Sequence, residues 1–189
     1  MSSHHVIREK QEPALLVISL NHFSDELLGQ LLEWSPTVVA LPHAAEELNS
    51  LGIKVDVVVA HEITNHLQEH VKLISAEAEK PVAAALNYLA NEGYPAVNIV
   101  TDNVEINQYT PLVKRINLVI YSGHQKIYPV NSGFSKWKPA GERVRILSAY
   151  AELQTTGLLA QPDAEYITIA DGLFSLSFTA PYLFIAEEL

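Results

Sequence analysis

Apolar segments alternate with helical patterns over residues 1–122, and this alternation restricts the fold more than any other feature of the sequence. The predicted strands are Ala14–Leu20, Thr37–Leu41, Asp56–Ala60, Val71–Ser75, Ala96–Thr101 and Asn117–Ser122. The predicted helices between them are Ser24–Trp34, Ala44–Leu51, Glu62–Glu69 and Val82–Glu92. Apolar strands separated by helices are typical of a parallel sheet that is covered on both faces. We therefore predict an α/β domain over residues 1–122.

The pattern changes after Ser122, where the segments become short and are separated by turn sequences such as Asn131-Ser132-Gly133 and Asp171-Gly172. The predicted strands here are Gln125–Val130, Phe134–Lys138, Arg143–Ala149, Tyr166–Ala170, Leu173–Phe178 and Tyr182–Ala186. Closely spaced strands with Gly, Pro, Asn and Asp turns indicate antiparallel sheets. We predict a small all-β sandwich domain over residues 123–189.

Composition excludes several classes of function. Hydrophobic residues make up 48% of the 189 residues, which is globular, and the formal net charge is -10. Because an acidic surface repels phosphate backbones and anionic lipids, we expect neither a nucleic-acid partner nor a membrane partner. The chain has no cysteine, which excludes disulfides, zinc-thiolate sites and a cysteine nucleophile. The N-terminus is polar and the apolar runs are short, so we expect a cytoplasmic protein.

Several stretches, taken in order along the chain, resemble the thiamine pyrophosphokinases. Glu46–Asp56 (EELNSLGIKVD) is similar to that family's approach to its third strand, and Ala85–Leu89 (ALNYL) is similar to the next helix. Ile127–Leu147 resembles the first hairpins of the family's β domain, and Thr156-Gly157-Leu158 resembles the step that follows. The resemblance covers most of the chain and implies an α/β domain followed by a β-sandwich.

The resemblance also implies an activity and a partner. Thiamine pyrophosphokinases transfer a pyrophosphoryl group from ATP to the thiamine hydroxyl with Mg²⁺, which takes hard carboxylate oxygens as ligands. In that family thiamine lies between the β domain of one subunit and its partner. A homodimer and a small-molecule ligand are therefore expected.

The family's acidic motifs are replaced in this sequence. Ala60–Thr64 (AHEIT) occupies the position of Gly-Asp-x-Asp-Ser, so that His61 and Ile63 stand where the two aspartates are expected. Pro42–Ala45 (PHAA) occupies the position of Asp-Gly-Gly-Ala, and Lys80-Pro81 that of a Thr-Asp pair. This pattern predicts a retained scaffold and a lost phosphoryl transfer, so that Mg²⁺ and ATP are expected only if the family activity survives.

Five polar residues lie just beyond predicted strand ends, where open α/β sheets bind ligands. They are His43, His61, Glu62, Asp102 and Glu105. Glu62 and Asp102 are the catalytic candidates, and His61, Glu62 and Asp102 are the metal candidates, because imidazole and carboxylate suit transition metals. His43 and His61 are candidates for binding a cofactor. The alternative is that all five are ordinary loop residues near an old cleft.

Ser177 is a third cofactor-binding candidate, because Ser175–Phe178 weakly resembles the family's late Ser-Asn segment, with Phe178 in place of the asparagine. The aromatic residues of this domain could form a slot for a ring or could pack as core or dimer contacts. They are Tyr121, Tyr128, Phe134, Trp137 and Phe178.

Two histidine pairs invite a metal interpretation. His61 and His66 are five positions apart, which places their side chains ~140° apart on a helix and does not fit a zinc-protease pair. His66 and His70 have the i, i+4 spacing that would allow shared metal binding, and an exposed helix face explains them as well.

Three hypotheses remain open. The first is a thiamine-pyrophosphokinase-like protein without kinase activity that serves as a ligand-binding or assembly module. The second is an active thiamine pyrophosphokinase whose Mg²⁺ is held by Glu62, Asp102 and Glu105. The third is a metal-dependent enzyme of another class that uses His43, His61 and Glu62.

Overall fold

The computed structural model describes residues 10, 12–61, 71–76 and 79–189. The chain forms two compact units, Met1–Leu118 and Val119–Leu189. The division falls inside a strand, four residues before the boundary that the sequence predicts. None of the helices among the described residues combines the length and the apolar character needed to cross a bilayer.

The first unit contains the parallel strands and the helices. Its strands are β1 (Ala14–Val17), β2 (Val38–Ala40), β3 (Val57–Ala60), β4 (Lys72–Ser75) and β5 (Ala96–Val100). Its helices are α1 (Asp25–Leu32), α2 (Pro42–Ser50), α3 (Pro81–Asn91) and the short α4 (Ile106–Tyr109), which is followed by a 3-10 turn at Thr110–Leu112. The strands pair in parallel in the order β5-β1-β2-β3-β4, so that β1 lies between β5 and β2.

The apolar strand sequences have the burial that the alternation predicts. All four residues of β1 are buried, and so are all three residues of β2. Leu28 of α1, Leu48 of α2 and Leu86 of α3 are buried as well, which shows that each helix turns an apolar stripe towards the core. Because these strands are parallel, the carboxyl ends of β1, β2, β3 and β5 lie at the same edge of the sheet.

Local signals explain where the helices begin and end. The Ser24 side chain accepts a hydrogen bond from the Leu27 backbone N–H at the start of α1, as an N-cap residue should. Pro42 is the first residue of α2, where its missing N–H costs nothing. Gly52 then follows α2 with a φ of 72°, a conformation that glycine adopts readily.

The second unit is built from antiparallel strands. They are β6 (Asn117–Ser122), β7 (Gln125–Val130), β8 (Phe134–Lys138), β9 (Arg143–Ile146), β10 (Gln154–Thr156), β11 (Leu158–Ala160), β12 (Glu165–Thr168), β13 (Gly172–Ser177) and β14 (Leu183–Glu188). One sheet runs β6-β7-β14-β9-β12-β11 and a smaller one runs β10-β13-β8. Buried side chains from both sheets, including Val144, Phe174 and Ile185, form one apolar cluster. The predicted fold class, a parallel α/β domain followed by a small β-sandwich, is confirmed.

Strands β10 and β11 are not predicted by the sequence. Both are three residues long, and Gly157 separates them with a φ of 74°. A Cβ atom at Gly157 would lie 2.8 Å from the Leu173 carbonyl oxygen and 3.2 Å from the Phe174 Cα. The glycine therefore allows the chain to leave the small sheet and join the large one in a single step, against the backbone of β13.

Several strands also end earlier than predicted. Strand β1 ends at Val17 instead of Leu20, because the following residues turn towards the end of β5. Strand β9 ends at Ile146 instead of Ala149. In both places the apolar run continues past the last ladder hydrogen bond, so that hydropathy alone overestimates the length of the strand.

Candidate functional site

Asp102 lies two residues beyond the end of β5, at the carboxyl edge of the sheet, and its carboxylate accepts hydrogen bonds from the loop that follows β1. Asp102 Oδ2 accepts hydrogen bonds from the Asn21 side-chain amide (2.8 Å) and the Asn21 backbone N–H (3.3 Å). Asp102 Oδ1 accepts one from the His22 backbone N–H (3.3 Å). The Asp102 backbone N–H in turn donates to Ser19 Oγ (2.8 Å). We call this set of hydrogen bonds the Asp102 clasp.

The clasp keeps the carboxylate ionised. Burial would raise the pKa of Asp102, but its hydrogen bonds with Ser19 and Asn21 outweigh burial and hold the pKa below the ordinary 3.8. Oδ2 accepts two hydrogen bonds and Oδ1 accepts one, all from donors of this loop. The Asp102 carboxylate is thus a structural hydrogen-bond acceptor that links the segments following two neighbouring strands.

His43 is the second residue of α2, beyond the end of β2, and its side chain is largely exposed. Its Nε2 lies 3.3 Å from Glu47 Oε1, one helical turn further on, which forms an ion pair when the imidazole is protonated. His43 therefore contacts a neighbour on its own helix. Its cofactor-binding role stays a prediction.

His61 is exposed and follows the last residue of β3. The strands β3 and β5 are three positions apart in the sheet, so that the ends leading to His61 and Asp102 are separated by about 14 Å. Glu62 lies outside the described residues, and so do His66 and His70. The predicted metal set of His61, Glu62 and Asp102 stays a prediction, with the Asp102 carboxylate directed at the loop after β1.

Glu105 and Ser177 are both exposed. Glu105 precedes α4 without capping it through its side chain. Ser177 lies on β13 opposite Gln154 of β10, on the face of the small sheet that carries the exposed residues. Their proposed roles, Mg²⁺ binding for Glu105 and cofactor binding for Ser177, also stay predictions.

The aromatic residues do not converge on one slot. Phe134 packs with Phe174 (ring centroids 5.9 Å apart) and Tyr128 packs with Phe134 (6.2 Å), both against the sandwich core. Phe178 is buried in the same core. Trp137 lies on the opposite face of β8 and is 58% exposed. The alternation of side chains along the strand thus separates Trp137 from the other rings.

A cleft of about 240 Å³ lies beside the Asp102 clasp, and sequence reasoning did not identify it. It is formed by the loop after β1 together with helices α1 and α2. Its lining is Leu20, Asn21, Phe23, Asp25, Leu28, Glu47, Ser50 and Leu51. Asn21 could have been found from the sequence, because it follows a strand end just as Asp102 does. The sequence contains no signal that α1 and α2 lie next to each other.

The described residues at this edge of the sheet do not fit a Mg²⁺ ion. Within the described part of the chain, no three His, Cys, Asp or Glu side chains are grouped closely enough to hold a metal ion. Asp102 accepts hydrogen bonds through both oxygens, and His61 offers an imidazole where Mg²⁺ prefers oxygen.

A parallel α/β unit with a polar carboxyl edge, followed by an antiparallel sandwich, places the chain among two-domain proteins of the α/β-plus-β class. Solved structures identify the fold further. A thiamin pyrophosphokinase from Geobacillus thermodenitrificans matches with a TM-score of 0.68 and 12% identity, over 94% of this chain and 98% of that chain. A probable thiamine pyrophosphokinase from Staphylococcus saprophyticus subsp. saprophyticus matches with a TM-score of 0.66 and 9% identity, over 94% and 98%.

A eukaryotic enzyme has the same fold. The thiamin pyrophosphokinase from Candida albicans matches with a TM-score of 0.61 and 10% identity, over 94% of this chain and 89% of that chain. Neither a protein-family model nor a curated protein sequence matches this chain. The chain therefore has the thiamine pyrophosphokinase fold, which confirms the resemblance at the level of structure.

Proposed function

We propose that this chain is a thiamine-pyrophosphokinase-like protein that has lost pyrophosphoryl transfer and serves as a ligand-binding or assembly module. In this proposal the protein is a cytoplasmic homodimer. The scaffold of the fold is retained, and the carboxyl edge of its parallel sheet carries other chemistry than Mg²⁺ and triphosphate binding.

The observation that carries the proposal is the Asp102 clasp. Phosphoryl transfer needs divalent ions that bridge phosphate oxygens and are held by carboxylates with free lone pairs. The Asp102 carboxylate is anionic and lies at the correct edge, but both of its oxygens accept hydrogen bonds from Asn21 and His22. A metal would compete for this carboxylate with the three hydrogen bonds that link the loops after β1 and β5.

The residues beyond the neighbouring strand ends support the same proposal. Pro42 begins α2 two residues after the end of β2, so that one backbone N–H that could face a phosphate is missing. His61 follows β3 with an imidazole, which is a poor ligand for Mg²⁺. Helix α3 begins at Pro81 after Lys80, again without a carboxylate in its first turn.

A coupled assay with ATP, Mg²⁺ and thiamine tests the loss of activity. The Geobacillus thermodenitrificans enzyme serves as a positive control, and we expect no turnover by this chain above the rate without protein. Steady turnover that Asp102→Asn abolishes would refute the proposal and support an active kinase in which Glu62, Asp102 and Glu105 hold the metal.

The assembly and the metal content are measured separately. We expect sedimentation velocity to give a homodimer and elemental analysis of the purified protein to give no stoichiometric metal. Bound metal that is lost in His61→Ala would instead support the hypothesis of a metal-dependent enzyme of another class. A monomer at all concentrations would refute the dimer.

A further inference from the structure

The cleft between the loop after β1 and helices α1 and α2 combines an apolar surface with acidic groups. Leu20, Phe23, Leu28 and Leu51 supply apolar side chains, and Leu28 is buried at only 4% exposure. A volume of about 240 Å³ is small for a ligand site and suits a compound with a single ring.

Among the described residues that line the cleft, the two charged ones are both acids. Asp25 is the first residue of α1 and Glu47 lies near the end of α2. Asn21 and Ser50 complete the polar part of the lining, and there is no Lys or Arg among the described residues that line the cleft. The cleft is thus negative on a protein whose net charge is already -10. Such a field attracts cations and repels phosphates and carboxylates.

We propose that this cleft binds a small organic cation, an ammonium group attached to a compact apolar body. The ammonium group is attracted by Asp25 and Glu47, and the apolar body lies against Phe23 and the leucines. This inference deepens the proposed function by naming a class of ligand, and it rests on the ligand-binding part of that proposal and not on the loss of pyrophosphoryl transfer.

Two features of the structure bear on ligand binding in this cleft. The Asp102 clasp fixes Asn21 and His22, and thereby holds the wall that runs from Leu20 to Phe23. His43 Nε2 lies 3.3 Å from Glu47 Oε1 and forms an ion pair with it when the imidazole is protonated. An ammonium group bound in the cleft would compete with His43 for this carboxylate.

Titration of the ¹⁵N-labelled full chain with benzylamine, followed by amide chemical shifts, tests the proposal, and benzyl alcohol is the uncharged control of similar shape. We expect saturable shifts at Leu20–Asp25 and at Ser50-Leu51, with a Kd for benzylamine on the order of 1 mM, as befits so small a ligand. Benzyl alcohol should bind at least about threefold more weakly, which is the scale of one partly exposed charge interaction.

Substitutions separate the acids of the cleft from their neighbours. Asp25→Asn and Glu47→Gln should each weaken benzylamine binding about threefold or more and leave benzyl alcohol binding unchanged. Glu26→Gln and Glu46→Gln, which remove exposed acids one position away and outside the lining, should change neither. The dispersion of the amide spectrum shows that each variant is folded.

Equal affinity for the two probes, shifts confined to other surfaces, or the same loss in the two control variants would each overturn the proposal. The kinase assay is independent of these results. Kinase turnover would refute the proposed function but not the cation site, whereas failure of the titration would refute only the cation site.

Discussion

The side-chain amide of Asn21 donates to Asp102 Oδ2 over 2.8 Å, which joins residues 81 positions apart in the sequence. The two residues follow β1 and β5, which are neighbours in the parallel sheet. A carboxylate at this edge of the sheet is thereby used to fix a loop.

The first prediction concerns the stability that the Asp102 clasp provides. Asp102→Asn should lower the free energy of unfolding at pH 7 by about 1 kcal/mol, because the hydrogen bonds to a charged, half-buried acceptor are weakened. Urea denaturation measures the change. Glu105→Gln, which removes an exposed acid of the same segment, is the matched control and should have little effect.

The stabilisation by Asp102 should depend on pH. Its pKa is lower in the folded protein than in the unfolded chain, so that the stabilisation is present above about pH 4 and is lost as the pH falls through the folded pKa. The difference between the native protein and Asp102→Asn should therefore shrink in acid. A difference that stays constant down to pH 2 would contradict the clasp as an ionised acceptor.

The second prediction concerns Gly157. Gly157→Ala should destabilise the protein by about 3 kcal/mol, because its Cβ would lie 2.8 Å from the Leu173 carbonyl oxygen. Gly52→Ala is a matched control, since Gly52 has nearly the same φ (72° against 74°) and nothing within 4 Å of the added atom. It should cost only about 1 kcal/mol. Similar losses in thermal denaturation would show that close approach to β13 is not the cause.

The third prediction concerns a charged cluster in the β-sandwich. Glu187 on β14 is 4% exposed, accepts from Lys136 Nζ and from the Tyr128 hydroxyl (2.9 Å), and lies 3.9 Å from Lys138 Nζ. Lys138 is itself 8% exposed. Glu187→Gln should cost about 2 kcal/mol, because it removes the buried counter-charge of Lys136 and leaves Lys138 with Glu142, 3.3 Å away, as its carboxylate partner.

Two further measurements examine this cluster. Glu188→Gln, which changes the exposed neighbour on the same strand, should be nearly neutral in urea denaturation. Burial and the Glu187 carboxylate raise the pKa of Tyr128 above the ordinary 10. In Glu187→Gln the pKa of Tyr128, followed by ultraviolet absorbance, should fall towards that value. An unchanged Tyr128 titration would argue against the contact.

The fourth prediction concerns alkaline unfolding. Burial raises the pKa of Tyr109 from 10.0 to about 12. The unfolded chain then releases this proton at lower pH than the folded protein, so that stability falls as the pH rises above about 10. Tyr109→Phe should remove about 1 kcal/mol of the loss between pH 7 and pH 11, measured by urea denaturation at both values. An identical loss in the variant would refute the raised pKa.

The sequence by itself determined the order of the strands and helices and the position of the change from one unit to the next. The period of the apolar residues distinguishes buried strands from amphipathic helices, and the signals at Ser24 and Pro42 mark where α1 and α2 begin. The change of pattern after Ser122 indicates an antiparallel unit, because strands joined by short turns cannot be parallel. These features are local, so that a single sequence reveals them.

Only the tertiary structure decided which contacts each polar side chain makes. Nothing in the sequence indicates that Asp102 points at Asn21, that Glu187 is buried against two lysines, or that Asp25 and Glu47 line one cleft. These relationships join residues that are distant in the chain, and they depend on strand order and helix packing. Hydropathy and spacing report only what lies within a few residues, whereas the role of a carboxylate is set by whichever donor the fold brings within about 3 Å of it.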